Sequence, residues 1–152
     1  MPGWTNKGKY QILGVALRAE TMSGSVFVAL VTSAGSVLPD TNTFSELTEI
    51  AAGNGYITGG TLLTRNSTDF DTWTEDDTND RGFVQLKDIA WTGSGGSIPP
   101  SGSGARYAVL TSDGGSVGTR SVYYGWDLAS DRTVSSGQAL TLQNCEIRIN
   151  EI

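Results

Sequence analysis

The sequence contains no histidine and a single cysteine, Cys145. The lack of histidine removes the commonest zinc ligand and the usual general base of enzyme active sites. A lone cysteine cannot form an internal disulfide, and without a histidine to activate it the thiol is a poor nucleophile. Its place in an alternating apolar stretch favours a buried packing role. We therefore expect a non-enzymatic protein that uses no cofactor and no metal.

Charged residues are also scarce, at 17% of the chain, and acids outnumber bases. Lys and Arg total 10 against 16 Asp and Glu, which gives a formal net charge of −6. A nucleic-acid partner requires a basic face that displaces counterions from phosphates, and an anionic membrane surface repels an acidic chain. No apolar run reaches the about 18 residues of a membrane helix, and the first residues lack the layout of a secretion signal. We therefore expect neither nucleic acid nor membrane as a partner.

Glycine and hydroxyl residues supply the polarity that charges do not. The chain has 20 Gly, 18 Thr and 16 Ser, interspersed with short alternating apolar stretches. This pattern predicts a mainly β fold, a β-sandwich or jelly-roll-like domain with one N-terminal helix and one short helix. We expect an N-terminal arm at residues 1–8 and a single domain at residues 9–152.

Two stretches carry helix signals. Within residues 6–20, Tyr10, Leu13 and Leu17 fall at i, i+3 and i+7, so we expect this apolar stripe to cover the sheet. Within residues 43–47, Thr43 and Glu46 have the spacing of a capping box, which predicts the second, short helix.

Strands are predicted at residues 25–32, 62–70, 82–91, 106–111, 121–128 and 139–149. The first is apolar at consecutive positions, which indicates a central strand covered on both faces. In 82–91 and in 139–149 the apolar positions change phase by one residue. Such a change predicts a β-bulge within each strand, the first of them near residues 87–88.

Residues 69–80 contain a cluster of carboxylates. A calcium loop at this point would need glycine in place of Arg81 and a bidentate glutamate in place of Lys87. We therefore interpret the cluster as a solvated turn in preference to a metal site. Asp69 and Asp71 could share one strand face as the acid pair of a glycosidase, a minor alternative that no neighbouring motif supports.

Four tryptophans raise the question of a sugar-stacking surface. Alternation places Trp91 and Trp126 in the core. Trp4 and Trp73 are then the exposed candidates for stacking on a sugar, although core or interface packing is the favoured interpretation.

Two segments fall outside the strand pattern, the N-terminal arm and the uncharged residues 92–104, which we expect to be mobile or ordered by a partner. Tryptophan is enriched at interface hot spots, and an already extended Pro-Pro segment loses little entropy on docking. We therefore predict that these segments contact a larger assembly, the alternative being that they are a frayed end and a plain loop. The interface candidates are Trp4, Lys7, Lys9, Ile98, Pro99 and Pro100.

A family resemblance covers residues 6–148 and is carried by five segments: VFVALVTS (26–33), NGYITGG (54–60), LTRNSTDF (63–70), ARYAVLTSDGG (105–115) and DLASDRTVSSGQALTL (127–142). With them the chain resembles small β-rich structural proteins of tailed-bacteriophage virions. The resemblance implies a non-enzymatic β-sandwich subunit, made in the host cytoplasm and incorporated into the virion. It transfers no role to any single residue.

The resemblance also implies the partners. These are copies of the chain itself, with a homotrimer favoured, and the major capsid protein or another virion protein. Two functions stay open. One is a capsid decoration or cement protein that stabilises the shell, and the alternative is a receptor- or glycan-binding module of a head or tail fibre.

Overall fold

Nine strands in antiparallel sheets and one α-helix make up residues 3–150, the part of the chain that the computed structural model describes. The predicted mainly β, sandwich-like class is confirmed. Residues 1–2 of the predicted arm and residues 151–152 of the predicted domain lie outside the described range. The elements are α1 (Asn6–Arg18), β1 (Ser25–Val31), β2 (Thr61–Thr64), β3 (Thr72–Asp76), β4 (Arg81–Gln85), β5 (Ile89–Thr92), β6 (Ala105–Ser112), β7 (Val122–Arg132), β8 (Ala139–Leu142) and β9 (Glu146–Asn150).

The largest sheet has the strand order β2-β1-β6-β7, so β1 lies between two partners, as its composition predicts. Val28 and Leu30 project into the main core, whereas Ala29 and Val31 project into a second, smaller core. Because both faces of β1 are covered, apolar residues occupy consecutive positions instead of alternate ones.

Strands β3-β4-β9 form a second sheet and β5-β8 a third. Gln85 pairs with Glu146 at the end of one ladder, and Ile89 pairs with Leu142 at the start of the next. Each predicted long strand therefore divides into two strands of different sheets, and both divide at the same level. The phase changes that the sequence shows are real, but their interpretation as bulges is wrong.

The predicted strand at residues 62–70 ends early, because β2 stops at Thr64. The side chain of Asn66 accepts hydrogen bonds from the backbone N–H groups of Thr68 and Asp69, a local turn that competes with a strand. The Asp69 carboxylate closes the turn by accepting from the Thr64 N–H at 2.7 Å.

Both predicted helices are confirmed, the second as a 3-10 turn at Phe44–Glu46. The capping box is formed, since the Glu46 carboxylate accepts from the Thr43 N–H at 2.9 Å. This hydrogen bond is the largest of the effects that lower the pKa of Glu46.

Residues 3–8 are part of the fold and not a free arm, which corrects the predicted boundary. The backbone of Thr5 donates to the Tyr123 carbonyl at 3.0 Å, and the Gly3 carbonyl accepts from Gly125, so this segment runs along β7. Thr5 is fully buried and caps α1, where its hydroxyl accepts from the Gly8 N–H at 2.9 Å. The N-cap bond thereby fixes the start of the helix against the sheet.

Candidate functional site

Helix α1 turns its apolar stripe towards solvent. Tyr10, Leu13 and Leu17 are 72%, 55% and 78% exposed, and we call these three residues the helix ridge. The prediction that they cover the sheet is wrong. The helix instead packs through its opposite side, where Gly8 is buried against the backbone of Tyr123. A residue without a side chain allows this close approach, so an apolar ridge is left on the outside.

The flanks of the helix ridge are basic. Lys7 lies beside Tyr10, with its Nζ 5.4 Å from the ring centroid. Lys9 and Arg18 are exposed, and residues 6–18 contain no Asp or Glu. The only ion pair of these cations within residues 3–150 is a 4.0 Å contact of Arg18 with the exposed Glu20, which adds little attraction. The outer side of α1 is thus apolar along its centre and positively charged at its margins.

A second exposed apolar surface lies on the sheet β3-β4-β9. Trp73, at 89% exposure, is opposite Val84, and Glu75 is opposite Gly82, which in turn is opposite Ile149. Directly opposed residues, and residues two apart on one strand, project from the same face of a sheet. Trp73, Glu75 and Ile149 therefore share a face, which we call the hairpin face. Gly82 has no side chain to cover Ile149, which is exposed as well.

The carboxylates of residues 69–80 separate into structural and free groups. Asp69 is buried and forms an ion pair with Lys87, whose hydrogen bond is the main cause of a lowered Asp69 pKa. Asp76 accepts from Asn79 and Arg81, and these two bonds lower its pKa. The interpretation of a solvated turn is therefore wrong for Asp69, which is buried, and for Glu75 and Asp76, which belong to strand β3.

The free members of the cluster are exposed. Glu75, Asp77 and Asp80 form no ion pair with any group in residues 3–150. Asp69 and Asp71 do not share a strand face, since the turn buries the first and exposes the second. No group of three or more potential metal ligands occurs in the described part of the chain.

The two exposed-tryptophan candidates line one cavity of about 860 Å³ between α1 and the sheet β3-β4-β9. Trp73 is free at its rim. Trp4 is engaged, because its indole N–H donates to the Arg148 carbonyl at 2.6 Å and its ring meets Tyr124 edge-on at 5.4 Å. The assignment of Trp4 to the exposed candidates is therefore wrong, since Trp4 is half-buried and packs against the main core. Trp91 is buried in the main core, and Trp126 is partly buried and packs against the same core, as predicted.

The loop at residues 92–104 is bound to the rest of the fold. Ile98 is 0% exposed, and its backbone exchanges hydrogen bonds with Val134 at 2.9 and 3.0 Å. The expectation that this loop is mobile or ordered by a partner is therefore wrong at Ile98, which is buried and not available as an interface residue. Pro99 is buried beside it, and of the three interface candidates in this loop only Pro100 is exposed. An apolar residue among glycines and serines resembles a docking ridge in sequence, whereas here it anchors the loop in the core.

Cys145 is buried, as predicted. Burial raises the pKa of its thiol to about 11, and the nearby Asp88 adds to the shift. A thiol held in its protonated form reacts slowly as a nucleophile.

The structure thus shows that the apolar stripe of α1 and the lysines beside it form one exposed surface. The helix ridge and its lysines are visible in the sequence, but their exposure is not. The signal that could have indicated it is Gly8, which lies opposite the ridge and permits a close backbone contact.

No helix within residues 3–150 has the length and apolar character to span a membrane. No family model, curated protein or solved structure matches the chain.

Proposed function

We propose that this chain is a non-enzymatic structural protein of a tailed-phage virion, a capsid decoration or cement protein that stabilises the shell. The observation that supports the proposal best is the exposure of the helix ridge. Large exposed apolar side chains grouped on one element are typical of surfaces that bind another protein. Together with the resemblance of the strand segments to virion proteins, the ridge favours a function of adhesion.

The way α1 is held also suits adhesion. Its first turn is fixed by the buried Thr5 cap and by the contact of Gly8 with β7. A ridge on a fixed element loses little conformational freedom when a partner binds, so more of the contact free energy remains as affinity.

A second candidate is a receptor- or glycan-binding module of a head or tail fibre. The observation that favours it is Trp73, whose ring is almost fully exposed at the rim of the cavity. A free indole face is a good stacking surface for a sugar ring. We place this candidate second because the other aromatic candidate, Trp4, is packed and hydrogen-bonded within the fold.

Sedimentation with particles tests the first candidate. The purified protein is added to virions or empty capsids that lack it, from the phage whose genome encodes it, and the pellet is assayed. We expect saturable binding to these particles and no additional binding to particles that already carry the protein. Absence of binding to both would contradict the proposal.

A glycan array tests the second candidate. Trp73→Ala is compared with Ile57→Ala, a control in which another exposed apolar residue, outside the sheet β3-β4-β9, is removed. Sugar binding that is lost only in Trp73→Ala would favour the fibre module over the decoration protein.

A further inference from the structure

We propose that the helix ridge of one subunit docks on the hairpin face of a second copy of this chain. The inference deepens the proposed function and rests on it, because it identifies which surfaces hold the virion subunits to one another. The helix ridge has no partner within residues 3–150, and the hairpin face of a second copy would cover it.

The apolar parts of the two surfaces are alike in kind. The ridge offers an aromatic ring at Tyr10 and two leucines, and the hairpin face offers the Trp73 ring and, on the far side of β4, Ile149. Aromatic and aliphatic side chains at the centre of a contact, with polar groups around them, are the usual composition of a protein interface. Each surface exposes apolar side chains to water, and contact with the other surface would bury them.

The charges identify the partner as a second copy. Three of the chain's 10 Lys and Arg residues are in the 13 residues of α1, with no acid among them. The hairpin beside Trp73 carries four carboxylates at positions 75, 76, 77 and 80, against a single guanidinium, that of Arg81. Copies of a chain with net charge −6 repel each other on average. A contact between its most basic element and its most acidic hairpin replaces that repulsion with attraction.

A contact between two different surfaces also limits the symmetry that the assembly can have. Because ridge and hairpin face are not the same patch, their contact is heterologous, and such contacts close into rings when the rotation allows it. A ring of three subunits uses every ridge and every hairpin face once. This geometry matches the homotrimer that the resemblance implies.

Charge reversal at three exposed positions and at the half-buried Lys7 tests the contact. Lys7→Glu with Lys9→Glu makes the helix flank acidic, and Glu75→Lys with Asp77→Lys makes the hairpin basic. Each double variant sets like charges against each other, so we expect at least tenfold weaker self-association than in the wild type. The chain with all four changes again opposes unlike charges, and we expect its association to recover. Circular dichroism checks that every variant is folded.

The readout is mass by sedimentation equilibrium at high micromolar concentration, without particles. The wild type and the fourfold variant are expected at three times 16.0 kDa, and the double variants at 16.0 kDa. Association should also weaken with added salt, because salt screens exposed charges. Double variants that associate as the wild type does, or a fourfold variant that stays monomeric while the double variants dissociate, would overturn the inference.

A lipid surface is the other occupant that an apolar ridge with basic flanks could take, and vesicle binding distinguishes it from a second copy. Anionic vesicles of phosphatidylcholine and phosphatidylserine are mixed with the wild type and with the lysine double variant. Binding that needs the lysines, in a protein that stays monomeric, would assign the ridge to a lipid surface and overturn the inference.

Particle sedimentation is measured separately from self-association. A protein that trimerises as described but never binds particles refutes the virion function and leaves the helix-to-hairpin contact standing. A protein that binds particles while its charge-reversed double variants still associate as the wild type does refutes the contact and leaves the virion function standing.

Discussion

The closest contact between α1 and the sheet predicts opposite effects for the same substitution at two positions of the helix. A Cβ atom added at Gly8 would lie 2.1 Å from the Tyr123 carbonyl oxygen, about 1.3 Å short of ordinary contact. At Gly14 the nearest atom is Cγ of the exposed Glu20, at 3.2 Å, which can move aside. Helix propensity alone favours alanine by about 1 kcal/mol at both positions.

The steric contact outweighs propensity at Gly8. Extra methyl groups in a packed site cost about 1–3 kcal/mol, and here the obstacle is backbone, which yields less than a side chain. We expect Gly8→Ala to lower the free energy of unfolding by about 1–2 kcal/mol, with the propensity gain included. For a chain of this length that is a fall in Tm of roughly 2–8 °C. Gly14→Ala should instead raise Tm by roughly 2–4 °C.

Urea and thermal unfolding, followed by circular dichroism, provide the comparison. Since both variants make the same chemical change in the same helix, their difference isolates the contact with β7. A Gly8→Ala protein as stable as Gly14→Ala would refute the packing of α1 through Gly8. The outward direction of the helix ridge would then lose its structural basis.

Three further predictions concern the interior. Tyr56→Phe should cost about 1–3 kcal/mol in denaturant unfolding, because the Tyr56 hydroxyl accepts from the Leu30 N–H and donates to Glu49. The Leu30 N–H would lose this partner, and Glu49 would keep the hydrogen bond from the Gly59 N–H. Ile98→Ala should cost about 2–5 kcal/mol as a buried truncation, measured as a fall in Tm. An unchanged Tm would instead restore Ile98 as a candidate for contact with a larger assembly. Thiol probes should label Cys145 only after unfolding. Because the folded pKa is raised above 9.0 to about 11, stability should begin to fall near pH 9. Cys145→Ser should remove the part of the fall between pH 9 and 10, below the range in which Tyr56, Tyr123 and Tyr124, raised from 10.0, contribute.

Local signals in this sequence predict local structure well. The capping box of Thr43 and Glu46 and the two-sided apolar run of β1 are each determined by neighbouring residues, and both are formed as expected. The strand at residues 62–70 fails for an equally local reason, the side chain of Asn66, whose turn-forming tendency the alternating pattern conceals.

Features that depend on distant contacts are less accessible. The periodicity of α1 is compatible with two faces, and only the approach of Gly8 to Tyr123, far away in sequence, decides which is buried. A change of phase in a strand has the same appearance whether it is a bulge or a passage between sheets, and the pairing of Gln85 with Glu146 decides it. The burial of Ile98 also depends on a distant contact, because its backbone pairs with Val134. The composition of the loop gives no sign of this pairing.

The most direct test of the proposed function is the number of copies of this chain in purified virions, measured by quantitative mass spectrometry against the major capsid protein. A decoration protein that follows the symmetry of the shell should be present on the order of hundreds of copies per particle, in a fixed ratio to the capsid protein. A count of about a dozen or fewer, as for parts at a single vertex or on a tail, would favour the fibre module. Absence of the chain from the virion would contradict the proposed function altogether.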